Sequence, residues 1–191
     1  MIDPAAPQKL TPPSGHGYIV RAAAGSEPAN LTFFTHPRGA ASSFHDKTYP
    51  GSDKPNEQVV VPVVRVDDFI DSPVFLLAID TQGHEPHVLK GASKLFAKGH
   101  IETLSFEVYA RGLLNGNVDF EKDVLDYLWN DLDFFCSTAR APIDSSPFPT
   151  DHPSSFAGFS EMVKNFGEKS IENNWFGRWD DMVCHPRHGK L

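Results

Sequence analysis

The pattern of apolar and polar positions changes character along the chain. Up to Gly17, prolines at 4, 7, 12 and 13 without apolar periodicity predict a disordered lead-in over residues 1–17. Tyr18-Ile19-Val20 then reads as a strand that leaves through Arg21-Ala22-Ala23-Ala24. Gly25 to Asn30 is turn chemistry, and Leu31-Thr32-Phe33-Phe34-Thr35 is a second strand. His36 to Asn56 is polar and rich in Gly, Pro and Ser, a surface loop suited to carrying function. Val59 to Val66 is β-branched on both sides of Pro62. That predicts an edge strand, because proline has no N–H to give a ladder. Asp67 to Asp71 is a short helix or turn.

Val74-Phe75-Leu76-Leu77-Ala78-Ile79 has no polar alternation, the pattern of a strand covered on both faces, and it stops at Asp80. A helix is expected from Glu85, with Pro86 in its first turn. Val88, Leu89, Ala92, Leu95 and Phe96 fall at helical spacing, and Gly99 is the stop. Ile101 to Tyr109 is a strand with Leu104, Phe106 and Val108 on one face and Ser105, Glu107 and Tyr109 on the other. Asp119 caps a second helix with the apolar stripe Phe120, Val124, Leu125, Leu128 and Leu132, and Leu132 to Ser137 follows as a strand. Pro142 to Pro153 reads as a linker, Phe156 to Phe166 as helical and Trp179 to Cys184 as a closing strand. Strands alternating with helices predict right-handed crossovers on a mostly parallel sheet, so the fold class is α/β.

Composition narrows the function. With 191 residues, 40% of them hydrophobic, one domain over residues 18–191 can bury a core. A net charge of -8, from 25 acidic against 17 basic side chains, gives no footprint for a phosphate backbone and argues against nucleic acid as partner. No apolar run is long enough for a membrane span, and the N-terminus lacks the basic and apolar segments of a secretory signal. Cys136 and Cys184 alone make neither a disulfide scaffold nor a closed zinc cage, so a reducing, cytoplasmic setting is expected, with Cys136 packing as a small hydrophobe.

In an open α/β sheet ligands bind beyond the carboxyl ends of strands, which is where Asp80 and Gly83 lie. There the Asp80 carboxylate either holds a cation or takes a proton, or it satisfies loop amides as an Asx turn. Glu107 interrupts an apolar strand and needs a partner, whether a neighbouring cation, an amide or a reacting group. His84 and His87 with Asp80 could be drawn as metal ligands for a hydrolase, yet their spacing matches no zinc motif, and no metal residue is assigned. The chain has no Gly-x-Ser-x-Gly elbow. Trp175 to Trp179 either lines a pocket or caps the core.

Val66-Asp67-Asp68-Phe69-Ile70, Phe75 to Glu85 with its Ile79-Asp80-Thr81-Gln82-Gly83-His84-Glu85 end, Val88-Leu89-Lys90-Gly91-Ala92 and Leu104-Ser105-Phe106-Glu107-Val108 together resemble the C-terminal half of FkbM-type methyltransferases. Ala22 to Ser26, Leu31 to Phe34 and Trp179 to Cys184 are similar to that family's third-strand exit, hairpin and closing strand. The resemblance implies an incomplete Rossmann-like sheet of the class I methyltransferase type with flanking helices. It further implies S-adenosylmethionine as cofactor and methyl transfer to a hydroxyl of a sugar, lipid or secondary metabolite. By the same analogy Asp80, Glu85 and Glu107 are catalytic, and Ala23, Asp80 and Gly83 bind the cofactor. The chain departs from the family at Gln82, where Glu is common, and at Ala78, where Lys is common. It also has no Gly-rich turn following a first strand, since Gly15-His16-Gly17 precedes one. The expectation is a domain lacking the first two strands, binding cofactor weakly or inactive by itself, with a protein partner or dimer completing the sheet. The alternative is a non-catalytic protein-interaction module derived from such a half-domain.

Overall fold

The computed structural model describes residues 9–10, 19–35, 44, 57–109, 118–119, 121–138 and 179–187. Among these, three sheets form. Strands β1 (Lys9–Leu10) and β2 (Ile19–Val20) make a short antiparallel pair, so two residues of the stretch read as a lead-in are strand. Strands β3 (Ala23–Ala24), β4 (Ala29–Thr35) and β5 (Glu57–Val64) make a second sheet in the order β3-β5-β4. Strands β6 (Val74–Ile79), β7 (Ile101–Tyr109), β8 (Phe134–Thr138) and β9 (Trp179–Pro186) make the third, in the order β6-β7-β9-β8.

The architecture is mixed α/β, and among the described residues the expected mostly parallel Rossmann sheet is not shown. β6 and β7 are parallel, as the helical crossover between them requires, whereas β9 enters antiparallel between β7 and β8. A second correction concerns Pro62. β5 is central in its sheet, not an edge, and it tolerates proline because β3 is only two residues long and meets β5 at Val63 and Val64, just past the ring. The third concerns β6, expected to be covered on both faces. It lies at the rim of its sheet, with β7 as its partner among the described residues and with Phe75 73% and Leu76 50% exposed.

Two helical segments follow β6 where one was expected: α1 (Glu85–Gly91) and α2 (Ser93–Ala97). The break is stabilised from outside. The Asp67 carboxylate, in a 3-10 turn at Val66–Asp68, accepts the Lys94 and Leu95 N–H groups at 3.0 and 3.2 Å and so caps α2. Arg65 donates to that carboxylate at 2.8 Å, to Ser93 Oγ at 3.2 Å and to the Ser26 carbonyl at 2.7 Å. Burial alone would raise the Asp67 carboxyl, but these amides and the guanidinium outweigh it and hold the group below its ordinary value. Gly99, at φ 64°, ends the helical stretch as its type predicts.

The segment Glu121–Asp131 is helical with π-type winding. Apolar residues at every fourth position fall between the periods of the two windings, so the stripe alone does not choose. Asp119 caps it as expected: its carboxylate accepts the Lys122 N–H at 3.1 Å, and its own N–H reaches Asp123 at 3.0 Å. The core lies between this segment, α1–α2 and the third sheet. Leu89, Ala92, Leu104, Val124, Leu125 and Cys184 are fully buried there. Cys136 and Cys184 face each other across β8 and β9 and form a disulfide, so Cys136 is buried as expected but bonded. No helix among the described residues is long and apolar enough to cross a membrane. The linker over Pro142 to Pro153, the helix over Phe156 to Phe166 and the Trp175 cluster's side chains lie outside the described residues.

Candidate functional site

Three neighbouring positions carry the site. Ile79 pairs with Phe106, so Asp80 leaves the end of β6 alongside Glu107 on β7. The chain then reverses through two left-handed residues, Gln82 at φ 53° and Gly83 at φ 103°. For glycine that conformation is free; for glutamine it is not, and strain at one position of a chemistry-bearing loop marks a constraint imposed by its surroundings. The constraint is visible. The Gln82 side-chain amide donates to Asp80 Oδ1 at 2.8 Å and to Glu107 Oε2, bridging the two carboxylates.

Glu85 fixes the loop from beneath. Its carboxylate is 1% exposed and accepts four bonds: Thr81 N–H and O–H at 3.1 Å each, and Gly83 N–H at 3.1 and 2.9 Å to its two oxygens. Burial raises its proton affinity, and those donors work against the rise. Its oxygens accept from the Thr81 hydroxyl and from the Thr81 and Gly83 N–H groups, which ties it to the turn that carries Gln82.

Glu107 is half-buried, and its carboxyl is pushed up to about 7, first by burial and then by the negative charges of Asp80, Glu85 and Asp181. Its partner is an amide and a second carboxylate, not a cation. Among the described residues no lysine or arginine pairs with Asp80 or Glu107. The arrangement can therefore hold a positive group or accept a proton near neutral pH. Gln82, noticed in the sequence as a lost charge, is the residue that joins the other two. Its signal lay in that departure.

Ala23 sits on the other sheet, in β3. The strand's exit approaches the loop after Asp80: a side-chain carbon on Gly25 would lie 3.4 Å from His84 Nε2. Gly91 of α1 meets the Gly25 carbonyl so closely that a Cβ there would collide with it. These glycines let the two sheets converge beside the loop. His84 is 7% exposed and stacks on His87 with ring centroids 4.3 Å apart, and Phe44 tilts against it at 4.7 Å. Stacked rings do not converge on an ion with Asp80, and among the described residues no three His, Cys, Asp or Glu side chains are placed to hold a metal.

Compared with known proteins, the chain matches the family described as Methyltransferase FkbM domain over residues 14–136. The match spans β3, β4, the loop and Glu107, and ends before β9. No curated protein and no solved structure matches the chain.

Proposed function

The chain belongs to the FkbM methyltransferase family, and from that premise we propose that it transfers a methyl group from S-adenosylmethionine to a hydroxyl oxygen of a sugar, lipid or secondary metabolite. What supports this reading is the Asp80–Gln82–Glu107 group at the carboxyl ends of adjacent parallel strands, the place where open α/β sheets bind ligands. Two carboxylates without a paired cation among the described residues suit a sulfonium, so the chemistry of the donor set fits this cofactor at its reactive end. Asp80 and Gly83 would hold that end, with Ala23 at the exit of β3. When bound, S-adenosylmethionine supplies an electrophilic methyl group.

The chain's own residues then do the following. Glu107, titrating near 7, takes the proton of the acceptor hydroxyl as the oxygen forms its new bond to carbon. Asp80 keeps the site negative. Gln82 holds the two carboxylates at a fixed separation by donating to both, and Glu85 holds the backbone that presents Gln82.

The test is methyl transfer from labelled S-adenosylmethionine to sugar, lipid and phenolic hydroxyl acceptors, with cofactor binding followed by calorimetry. Transfer that rises with pH through about 7 and falls about a hundredfold or more in Glu107→Gln supports the reading. Cofactor binding without transfer to any acceptor, or an unchanged rate in Glu107→Gln, overturns it. The cellular setting follows from Cys136 and Cys184. Thiols trapped by alkylation at lysis place the chain in a reducing, cytoplasmic environment, and the bonded pair places it in an oxidising one.

A further inference from the structure

The match to the methyltransferase family ends at residue 136, and β9, which lies beyond it, runs beside Glu107. β9 is held from both sides. It pairs with β7 from Leu104 to Tyr109 and with β8 from Phe134 to Thr138, and the Cys136–Cys184 bond crosses the second of these pairings. Sliding β9 along β8 would pull Cys184 away from Cys136, so the covalent bond admits one register.

That register decides what faces the site. Successive side chains of a strand point to opposite faces. Met182 and Cys184 are buried in the core, so Asp181 points the other way, and it is exposed. On β7 the same alternation buries Leu104 and Phe106 and turns Glu107 to the opposite face. Glu107 and Asp181 stand directly opposite in the ladder, and residues so paired share a face with their β-carbons about 5 Å apart. Like charges in that position cost a sheet stability, and each strengthens the other's hold on a proton. Glu107 accordingly faces negative charge from two directions: Asp80 and Glu85 in the stretch after β6, and Asp181 on β9. Burial acts on it first, and these three carboxylates act in the same sense. Asp80 is bonded to Gln82, and Glu85 to Thr81 and Gly83, within their own loop. Asp181 reaches Glu107 from a different element.

We propose that Asp181 is a positioning residue for Glu107: facing it across the ladder of β7 and β9, its charge makes Glu107 the stronger base and so the group that takes the acceptor's proton. Asp181 acts through Glu107. The use of that base rests on the methyl-transfer reading, whereas the pairing does not, and the experiment separates the two.

Carboxyl-carbon NMR of the full chain, with the Glu107 signal identified by its loss in Glu107→Gln, reads the titration directly. Asp181→Asn should lower the proton affinity of Glu107 about fivefold, and Asp181→Glu, which keeps the charge, should restore most of it. Should Asp181→Asn melt early, Asp181→Ser carries the same test. In the transfer assay the pH midpoint of kcat should fall with the NMR midpoint while KM for the acceptor stays. Three results overturn the proposal: a Glu107 titration unmoved by Asp181→Asn, one moved equally by Asp181→Glu, or early melting of both neutral variants, which would make Asp181 a support of the sheet. Transfer absent at every pH while Glu107 still answers to Asp181→Asn overturns the methyl-transfer reading and retains the pairing.

Discussion

The two larger sheets are held by different means. In the β6-β7-β9-β8 sheet the inner faces of the strands meet α1, α2 and the Glu121–Asp131 helix, and the apolar core sits between them. The β3-β5-β4 sheet has little of that: Val63 is buried, while Val59 and Val60 of the same strand stand 42% and 71% exposed. It is attached through backbone proximity and polar clasps, with Gly25 against Gly91 and Arg65 reaching the Ser26 carbonyl, Asp67 and Ser93. One region is stabilised by removal of apolar area from water, the other by fit at a seam. The candidate site lies where they converge, so its geometry depends on both.

The largest expected effect falls inside the first region. The Cys136–Cys184 bond closes 48 residues of sequence separation, and a cross-link over that span removes unfolded-state freedom worth about 4 kcal/mol. Substituting both cysteines by alanine should lower Tm by about 10 °C in a chain of this size. Scanning calorimetry with and without reductant checks it: reductant should shift the parent protein and leave the double variant unmoved. An equal shift in both would mean that the bond does not contribute.

Next comes the seam. In Gly91→Ala the added carbon meets backbone, the Gly25 carbonyl, which has no rotamer to yield. Overpacking of this kind costs about 3 kcal/mol. Gly25→Ala meets Cγ1 of Val63, a buried β-branched side chain held at χ1, and should cost a similar amount. Hydrogen exchange separates the regions: Gly91→Ala should speed exchange in Val63 and Val64 more than in Leu104 and Phe106. Uniform acceleration would mean that the two sheets open as one unit.

How much of this could be read from sequence divides along the same line. Val74–Ile79 and Ile101–Tyr109 form with the bounds their patterns imply, Gly99 stops the helical stretch and Asp119 caps its segment, because each is decided by residues near one another in the chain. What the patterns do not carry is who lies beside whom. An apolar run says that a strand avoids water, not that a neighbour covers it, and β6 leaves Phe75 and Leu76 exposed. β9 entering antiparallel, the Cys136–Cys184 pairing and the Asp67 cap on α2 all join residues far apart in sequence. The site was partly legible for the same reason. Asp80, Gly83 and Glu85 are local to one loop, and Glu107 is the polar break in an apolar strand, whereas the bridging role of Gln82 appears only once β6 and β7 lie side by side.

Glu107 makes the comparison depend on pH. Its carboxyl titrates at about 7 in the folded protein against an ordinary 4.5, so between those values the folded state binds the extra proton. Unfolding free energy therefore falls as pH rises through that window, and the contribution is whole below 4.5. Because the group is half-exposed, solvent screening reduces the effect to about 1 kcal/mol. Denaturant titrations across the window should show that decline in the parent protein and a flatter profile in Glu107→Gln. Parallel profiles would assign the pH dependence to other groups.

The smallest effect concerns Gln82, and its sign should change with pH. Glycine there relieves the left-handed backbone at φ 53°, a gain of under ~1 kcal/mol. It also removes the amide that donates to Asp80 and Glu107. At about pH 5 Glu107 carries its proton, the carboxyls repel little, and Gln82→Gly should be the more stable protein. At about pH 8 Glu107 has lost its proton beside Asp80 without the Gln82 amide to bridge them, and the gain should vanish or reverse. Equal gains at both pH values would mean that the strained glutamine is not what restrains the two carboxylates. A gain confined to acid pH would mean that the fold tolerates an unfavourable backbone angle in order to bridge the two carboxyls.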